Sequence, residues 1–248
     1  MKFSKVYEPR ISEYDKNGNL SVKSIIGILE DAGAKHSTFA GNDILECRLK
    51  GHTWILVEWN VEINRLPKNN QKLLVETWAV FKKPEIITSR EFEIKDEQGN
   101  VFIHACERLV YEDLQNGKLV RITPEMMGNY NPEPELQHKF RFAKLKEPAV
   151  YDREKPLAVR ITDIDFNDHV HNTVYFDYAL DMLENTQEFI SGFRILYKKP
   201  LMYKDTATVK IANTDGGCTV GIYKEDVLCT LVEIRKYTAV GNDLRVVP

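Results

Sequence analysis

Along the chain the spacing of apolar residues switches between a helical and a strand period, and it does so twice. Val22, Ile25, Ile26, Leu29, Ala32 and His36 recur at intervals of three and four, which predicts an amphipathic helix over 21–40 with Ser21 as its cap. Beyond it Ile55, Val57, Trp59, Val61 and Ile63 alternate with Glu58, Asn60, Glu62 and Asn64, the pattern of a strand with one face on a core. Further strands are predicted near 72–82, 86–95 and 101–112, with Asp96-Glu97-Gln98-Gly99-Asn100 as a turn. The second half repeats the order. Asn172 precedes Val174, Tyr175, Tyr178, Ala179, Met182 and Leu183 at helical spacing, and strands follow near 192–199, 205–213, 217–224 and 227–238.

A direct comparison of the halves supports a duplication. Arg10-Ile11-Ser12-Glu13-Tyr14-Asp15-Lys16-Asn17 resembles Arg160-Ile161-Thr162-Asp163-Ile164-Asp165-Phe166-Asn167 at an offset of 150 (160 − 10). Between the copies the stretch from Thr123-Pro124 to Pro134 is polar and Pro-rich, as a linker is, which sets the boundary near 130 and the units at 1–130 and 131–248. A helix followed by antiparallel strands leaves each sheet one face to bury, and the helix is its obvious cover. The expected class is α+β, a double hot-dog: two tandem units, each a long helix wrapped by a curled antiparallel sheet.

Composition narrows the setting. With 248 residues, 43% of them hydrophobic and 29% charged, the chain reads as a globular protein with a large core. No apolar run is long enough to span a bilayer, and Met1-Lys2-Phe3-Ser4-Lys5-Val6-Tyr7 enters a strand pattern at once, so a cytoplasmic location and no membrane partner are expected. Cys47, Cys106, Cys218 and Cys229 are too scattered for a zinc motif or a disulfide framework. A net charge of −3 gives no general attraction to nucleic acid.

The chemistry is concentrated in Asp163-Ile164-Asp165-Phe166-Asn167-Asp168-His169-Val170-His171-Asn172-Thr173-Val174-Tyr175. In an extended segment Asp165, Asn167 and His169 share one face, ahead of a helix start with unpaired backbone N–H groups. A calcium loop opening at Asp163 fails, because Asp168 stands where Gly is needed and Val174 where a bidentate Glu is needed. A transition-metal site on His169, His171 and Asp165 lacks a further clustered ligand such as a Cys or a helical His-x-x-x-His, so no metal is expected. The remaining plain alternative is a solvated turn with Asn172 capping the helix.

The pattern Asp163-x-Asp165-x-Asn167-x-His169-Val170-x-Asn172-x-x-Tyr175 resembles the active-site segment of the acyl-ACP thioesterases, the plant plastid enzymes and their shorter bacterial relatives. Val75-Glu76-Thr77-Trp78 and the aromatic strand from Trp54 resemble the family's first half, and the likeness covers roughly residues 3 to 240. The resemblance implies a thiolester hydrolase that releases free fatty acid from acyl-ACP and so terminates fatty acid synthesis. It implies catalytic Asp165, Asn167 and His169, and an acyl pocket mostly in the first unit, for which Trp54, Trp78, Ile25, Leu29 and Tyr175 are candidates. The implied partner is acyl carrier protein with its phosphopantetheine-linked acyl chain; no cofactor is implied, and monomer and homodimer both stay open. Plant members carry a Glu-Cys pair after the helix, and the comparable Lys198-Lys199-Pro200-Leu201-Met202-Tyr203 has neither residue, which leaves a fourth catalytic position unassigned and excludes a cysteine nucleophile there.

The offset of 150 sets Asp15 and Asn17 opposite Asp165 and Asn167 but Asn19 opposite His169, so one copy alone is complete. For thioester hydrolysis, backbone N–H groups of Val170 and His171 are candidates for the oxyanion and Asn167 for orienting carbonyl or water. Asp165 acts as general base or attacks directly, and His169 serves the leaving sulfur. Arg65, Lys68, Lys198, Lys199 and Lys204 are candidates to receive an acidic carrier. The alternatives are a hot-dog dehydratase, a hot-dog acyl-CoA thioesterase and a non-catalytic acyl-binding module; the last is expected to have the Asp-x-Asn-x-His set broken in both copies.

Overall fold

The computed structural model describes residues 1–183, 190–240 and 243–246. It divides into two compact units, Met1–Arg141 and Phe142–Pro248.

In the first unit, strand β1 (Phe3–Tyr7) precedes helix α1 (Val22–Phe39) and a short helix α2 (Ile44–Leu49). Long antiparallel strands follow: β2 (His52–Ile63), β3 (Leu73–Val80), β4 (Ile87–Lys95) and β5 (Val101–Asp113), then short β6 (Lys118–Val120) and α3 (Pro124–Met127). The sheet order is β1-β3-β4-β5-β2, with β6 on β5. Ser21 caps α1 by accepting the Ser24 N–H at 3.3 Å, so a first-turn donor is satisfied. Every residue of the expected stripe, Val22, Ile25, Ile26, Leu29, Ala32 and His36, is buried on the sheet. Each large aliphatic side chain so placed contributes about 1.5–3 kcal/mol. Gly33 permits the closest approach: a Cβ there would lie 2.8 Å from Arg90 Nη1, which instead bonds the Gly33 carbonyl.

The second unit repeats the plan. Strand β7 (Arg153–Ala158) and helix α4 (Asn172–Leu180) lead to β8 (Ile190–Tyr197), β9 (Thr206–Thr214), β10 (Gly217–Lys224), β11 (Val227–Val240) and β12 (Asp243–Val246). Its order is β7-β9-β10-β11-β8, the same path as the first sheet, with β12 on β11. The double hot-dog is thus the fold, although α4 covers only Asn172–Leu180, and Met182 and Leu183 follow it in a turn.

Two expectations need correction. Glu58 and Asn60, expected on a solvated face of β2, are 3% and 2% exposed. For Asn60 the cause is the segment after α3, which crosses that face: Asn60 Nδ2 donates to the Arg141 carbonyl at 3.2 Å; Glu58 pairs instead with Arg108 of the neighbouring β5, 3.4 Å away. The second concerns this segment itself, which packs on the first sheet instead of linking freely, so the first compact unit runs on to Arg141. Phe81 N–H donates to Glu133 O at 2.8 Å, and the N–H groups of Gln137 and His138 reach the fully buried Glu91 carboxylate at 2.7 and 2.8 Å. Residues read as a free linker are the outer cover of the first sheet. The four cysteines are free and buried.

Candidate active site

The chemistry-bearing segment is a tight turn, not an extended strand. A 3-10 turn over Ile161–Asp163 leads in, Asp165 N–H donates to His169 O at 2.8 Å, and Asp168 N–H donates to Asp165 O at 3.1 Å. Closing the loop requires a left-handed residue, and Asp168 takes that place with φ 61°. Asp165, Asn167 and His169 are therefore gathered by chain reversal rather than by strand alternation. All three are half-buried.

The turn is anchored from below by Asp163, which is 2% exposed. Its carboxylate accepts Tyr178 OH at 2.7 Å, Arg160 N–H at 2.8 Å and Arg160 Nη2 at 2.8 Å, while its carbonyl accepts His171 N–H at 2.8 Å. Burial pushes this carboxyl upward, but the bonds from Arg160 and Tyr178 outweigh it and hold it below the ordinary range. Sequence reading gave Asp163 no anchoring role; the recurring Arg-x-x-acid spacing at Arg10–Glu13 and Arg160–Asp163 was the available signal.

On the reacting side, Asp165 Oδ1 accepts Asn167 N–H at 2.7 Å, and Oδ2 meets Asn167 Nδ2 at 3.5 Å, long for a hydrogen bond. The first copy is more self-contained. Asp15 Oδ1 there accepts both Asn17 N–H at 2.8 Å and Asn19 N–H at 2.9 Å, and Oδ2 meets Asn19 Nδ2 at 3.4 Å.

Several site expectations are corrected by these contacts. Val170 N–H is committed to Leu201 O at 2.8 Å and His171 N–H to Asp163 O, so neither amide is available to an oxyanion without breaking a backbone bond. The helix cap is His171 rather than Asn172: its Nδ1 accepts Thr173 N–H at 3.4 Å and lies 2.8 Å from Thr173 Oγ1. The cap fixes His171 Nδ1 as the acceptor for that amide. Tyr175 is 2% exposed and its hydroxyl accepts Leu201 N–H at 2.7 Å, which makes it a brace between α4 and the 198–204 loop.

Within the first unit the four candidates for the acyl pocket do not converge on one place. Ile25 and Leu29 lie in the α1 stripe. Trp54 packs at the end of α1 on Ala40, Ala79, Ile122, Met127 and Tyr130. Trp78 pairs in register with Glu91, on the face of the sheet opposite Arg90 and Phe92, which meet α1 at Gly33. Its indole N–H is bound to Glu91 at 3.0 Å and Lys2 sits 4.0 Å over its ring. Trp78 and the α1 stripe therefore lie on opposite sides of one sheet.

Of the basic candidates, Lys198, Lys199 and Lys204 are exposed on the β8–β9 loop, which runs beside the turn through the Val170–Leu201 bond and a His169–Met202 bridge. Lys198 lies 3.7 Å from Glu147. Arg65 and Lys68 belong to the first unit, where Lys68 bridges Asn19, the counterpart of His169, and Arg65 pairs with Asp96 at 3.3 Å. No described helix is long and apolar enough to cross a membrane.

Comparison with known proteins agrees in both fold and sequence. The chain is 22% identical over 250 residues to oleoyl-acyl carrier protein thioesterase 1 of Arabidopsis thaliana, a chloroplastic protein, covering 89% of this chain and 68% of the relative. It is 21% identical to the dodecanoyl-[acyl-carrier-protein] hydrolase of Cinnamomum camphora, covering 91% and 63%. Among solved structures, an acyl-ACP thioesterase from Bacteroides thetaiotaomicron superposes with TM-score 0.83 at 17% identity, over 94% of this chain and 97% of that one. A 12:0-ACP thioesterase from Umbellularia californica does so with TM-score 0.83 at 18% identity, over 94% and 96%. Residues 1–130 match the acyl-ACP thioesterase N-terminal domain and residues 146–238 the acyl-ACP thioesterase C-terminal domain, so the chain belongs to the acyl-ACP thioesterase family.

Proposed function

We propose that the chain hydrolyses fatty acyl thioesters carried on acyl carrier protein, releasing free fatty acid and the carrier thiol, with Asp165, Asn167 and His169 at the reacting centre. The observation that carries this is the contrast between the two turns. Asp15 Oδ1 accepts two backbone amides, from Asn17 and Asn19, whereas among the described residues Asp165 Oδ1 accepts one, from Asn167; both Oδ2 atoms meet a side-chain amide at long range, 3.4 and 3.5 Å, and the second turn carries His169 where the first has Asn19. Asp165 Oδ2 takes a proton from water as the water oxygen attacks the carbonyl carbon, or attacks that carbon itself to give an anhydride that water then opens. With the Val170 and His171 amides committed, Asn167 Nδ2 is the donor for the developing oxyanion. His169 supplies the proton that the departing sulfur needs. Lys198, Lys199 and Lys204 flank the turn and receive the acidic carrier.

Thiol release from matched acyl-ACP and acyl-CoA substrates tests the reading. Turnover should favour acyl-ACP, and Asp165→Asn should lower kcat by more than about a hundredfold with the fold intact. Preference for acyl-CoA would move the substrate to the coenzyme A thioester; near-normal release by Asp165→Asn would remove the carboxylate from the chemistry. The preference for acyl-ACP should shrink as salt shortens the screening length from about 10 Å at 0.1 M to about 3 Å at 1 M.

A further inference from the structure

On the outer face of the first unit's sheet, opposite the α1 side, Glu93 of β4 and His104 of β5 stand across from each other in register. The segment that crosses this face brings His138 over them. Glu93 Oε1 lies 3.0 Å from His138 Nε2 and 3.6 Å from His104 Nδ1, and the two ring nitrogens are 3.2 Å apart. We propose that these three atoms form a zinc-binding site, two imidazole nitrogens and one carboxylate oxygen, with the fourth position left to water.

Geometry is the first support. Zinc bonds of about 2.0–2.1 Å at tetrahedral angles separate neighbouring ligand atoms by about 3.3 Å, and the three observed separations bracket that value. Hydrogen bonding is the second. A proton on His138 Nε2 can bridge to Glu93 or to His104, not to both, so protons alone leave one edge of the triangle unsatisfied; a cation satisfies all three lone pairs at once. The third support is how firmly the ligands are set. Glu91, fully buried, takes the N–H groups of Gln137 and His138 and so fixes the main chain that carries the third ligand. Glu93 turns its other oxygen to Lys95 at 2.5 Å and Lys2 at 3.9 Å, which leaves Oε1 to the imidazoles.

The mixed nitrogen and oxygen donor set selects zinc and its late transition neighbours over magnesium and calcium, which prefer oxygen alone. Both histidine side chains retain about a fifth to a quarter of their exposure, 20% and 24%, so an ion has a route in. Lys2 and Lys95 oppose a second positive charge nearby, which lowers the affinity below that of a closed structural site. A bound ion would tie the crossing segment to β4 and β5, giving the first unit a clasp separate from the thioester chemistry of Asp165.

The test is titration of the metal-free full-length chain with zinc chloride against a chromogenic chelator, with magnesium chloride as the comparison. One equivalent of zinc should bind in the micromolar range or tighter and raise the thermal midpoint, and magnesium should do neither. His104→Gln and His138→Gln, each checked for native circular dichroism, should weaken zinc at least about tenfold and abolish the thermal shift. Absence of micromolar binding, or binding undiminished in both variants, overturns the proposal. If either variant fails to fold, a zinc-edge anomalous map of the unaltered protein decides instead: a peak among Glu93, His104 and His138 supports the site, and its absence from zinc-soaked crystals refutes it.

Discussion

Gly18 and Asp168 hold the same left-handed position, φ 74° and 61°, in two turns 150 residues apart (168 − 18). The bonds around them agree in turn: Gly18 N–H to Asp15 O at 3.0 Å and Asp168 N–H to Asp165 O at 3.1 Å, Asp15 N–H to Asn19 O at 2.8 Å and Asp165 N–H to His169 O at 2.8 Å. Only glycine adopts this conformation without a steric cost. Asp168→Gly should therefore be neutral or stabilising by up to about 1 kcal/mol, while Asp168→Val should destabilise by about 1–3 kcal/mol, measured by urea unfolding. A stabilising Asp168→Val would contradict the turn.

The turns differ where chemistry is at stake. His169→Ala should lower kcat for acyl-ACP by a hundredfold or so, the low end for loss of a general acid or base. Asn19→His places an imidazole at the matching site of the first turn, yet active-site titration should still count one competent site, because Asp15 is already engaged by Asn17 and Asn19. Two competent sites in either protein would end the assignment of roles to the copies.

The Asp163 anchor yields a stability prediction. Tyr178→Phe removes a 2.7 Å bond to a buried carboxylate and should cost about 1.5–3 kcal/mol at neutral pH. Asp163 has a depressed folded pKa, so its contribution is present above its ordinary value near 3.8 and is lost as pH falls through the folded one. The Tyr178→Phe deficit should therefore narrow in unfolding measured near pH 3, and a deficit independent of pH would point to packing instead.

Glu107 has the opposite sign. Burial pushes its carboxyl up from 4.5 to about 7, against the pull of Arg90 and with a smaller push from Glu30. Between those values the folded state binds the proton more tightly than the unfolded chain. The contribution of this group is full below about pH 4.5 and is lost as pH rises through about 7, a swing of about 3 kcal/mol. Comparing urea unfolding of the unaltered chain and Glu107→Gln at pH 5 and pH 8 isolates it: the difference should move in favour of Gln at the higher pH.

The elements with a strong period were legible, from the α1 stripe to the strands of both sheets. β7 was not, because Arg153, Glu154 and Lys155 are exposed and Pro156 sits on an edge strand, where the missing N–H is tolerated. The offset of 150 exposed the paired turns because their bonds are local. The loss of Val170 and His171 as oxyanion donors was hidden, since the acceptor Leu201 arrives from the next loop and Asp163 reaches back only once the turn has closed. Asn60 read as solvated for a related reason: nothing in its own strand announces that the segment ending at Arg141 will cover it.

That cover bears on where the gene can be cut and rejoined. The match to the N-terminal family domain stops at 130, but Glu91, with no exposure, draws two of its donors from Gln137 and His138 and only the indole N–H from Trp78. A crossover between relatives at 130 would hand that buried carboxylate a stranger's backbone, at about 1–3 kcal/mol if its donors fail to arrive. Chimaeras joined after Arg141, where the first compact unit ends, should keep their stability where those joined at 130 lose it.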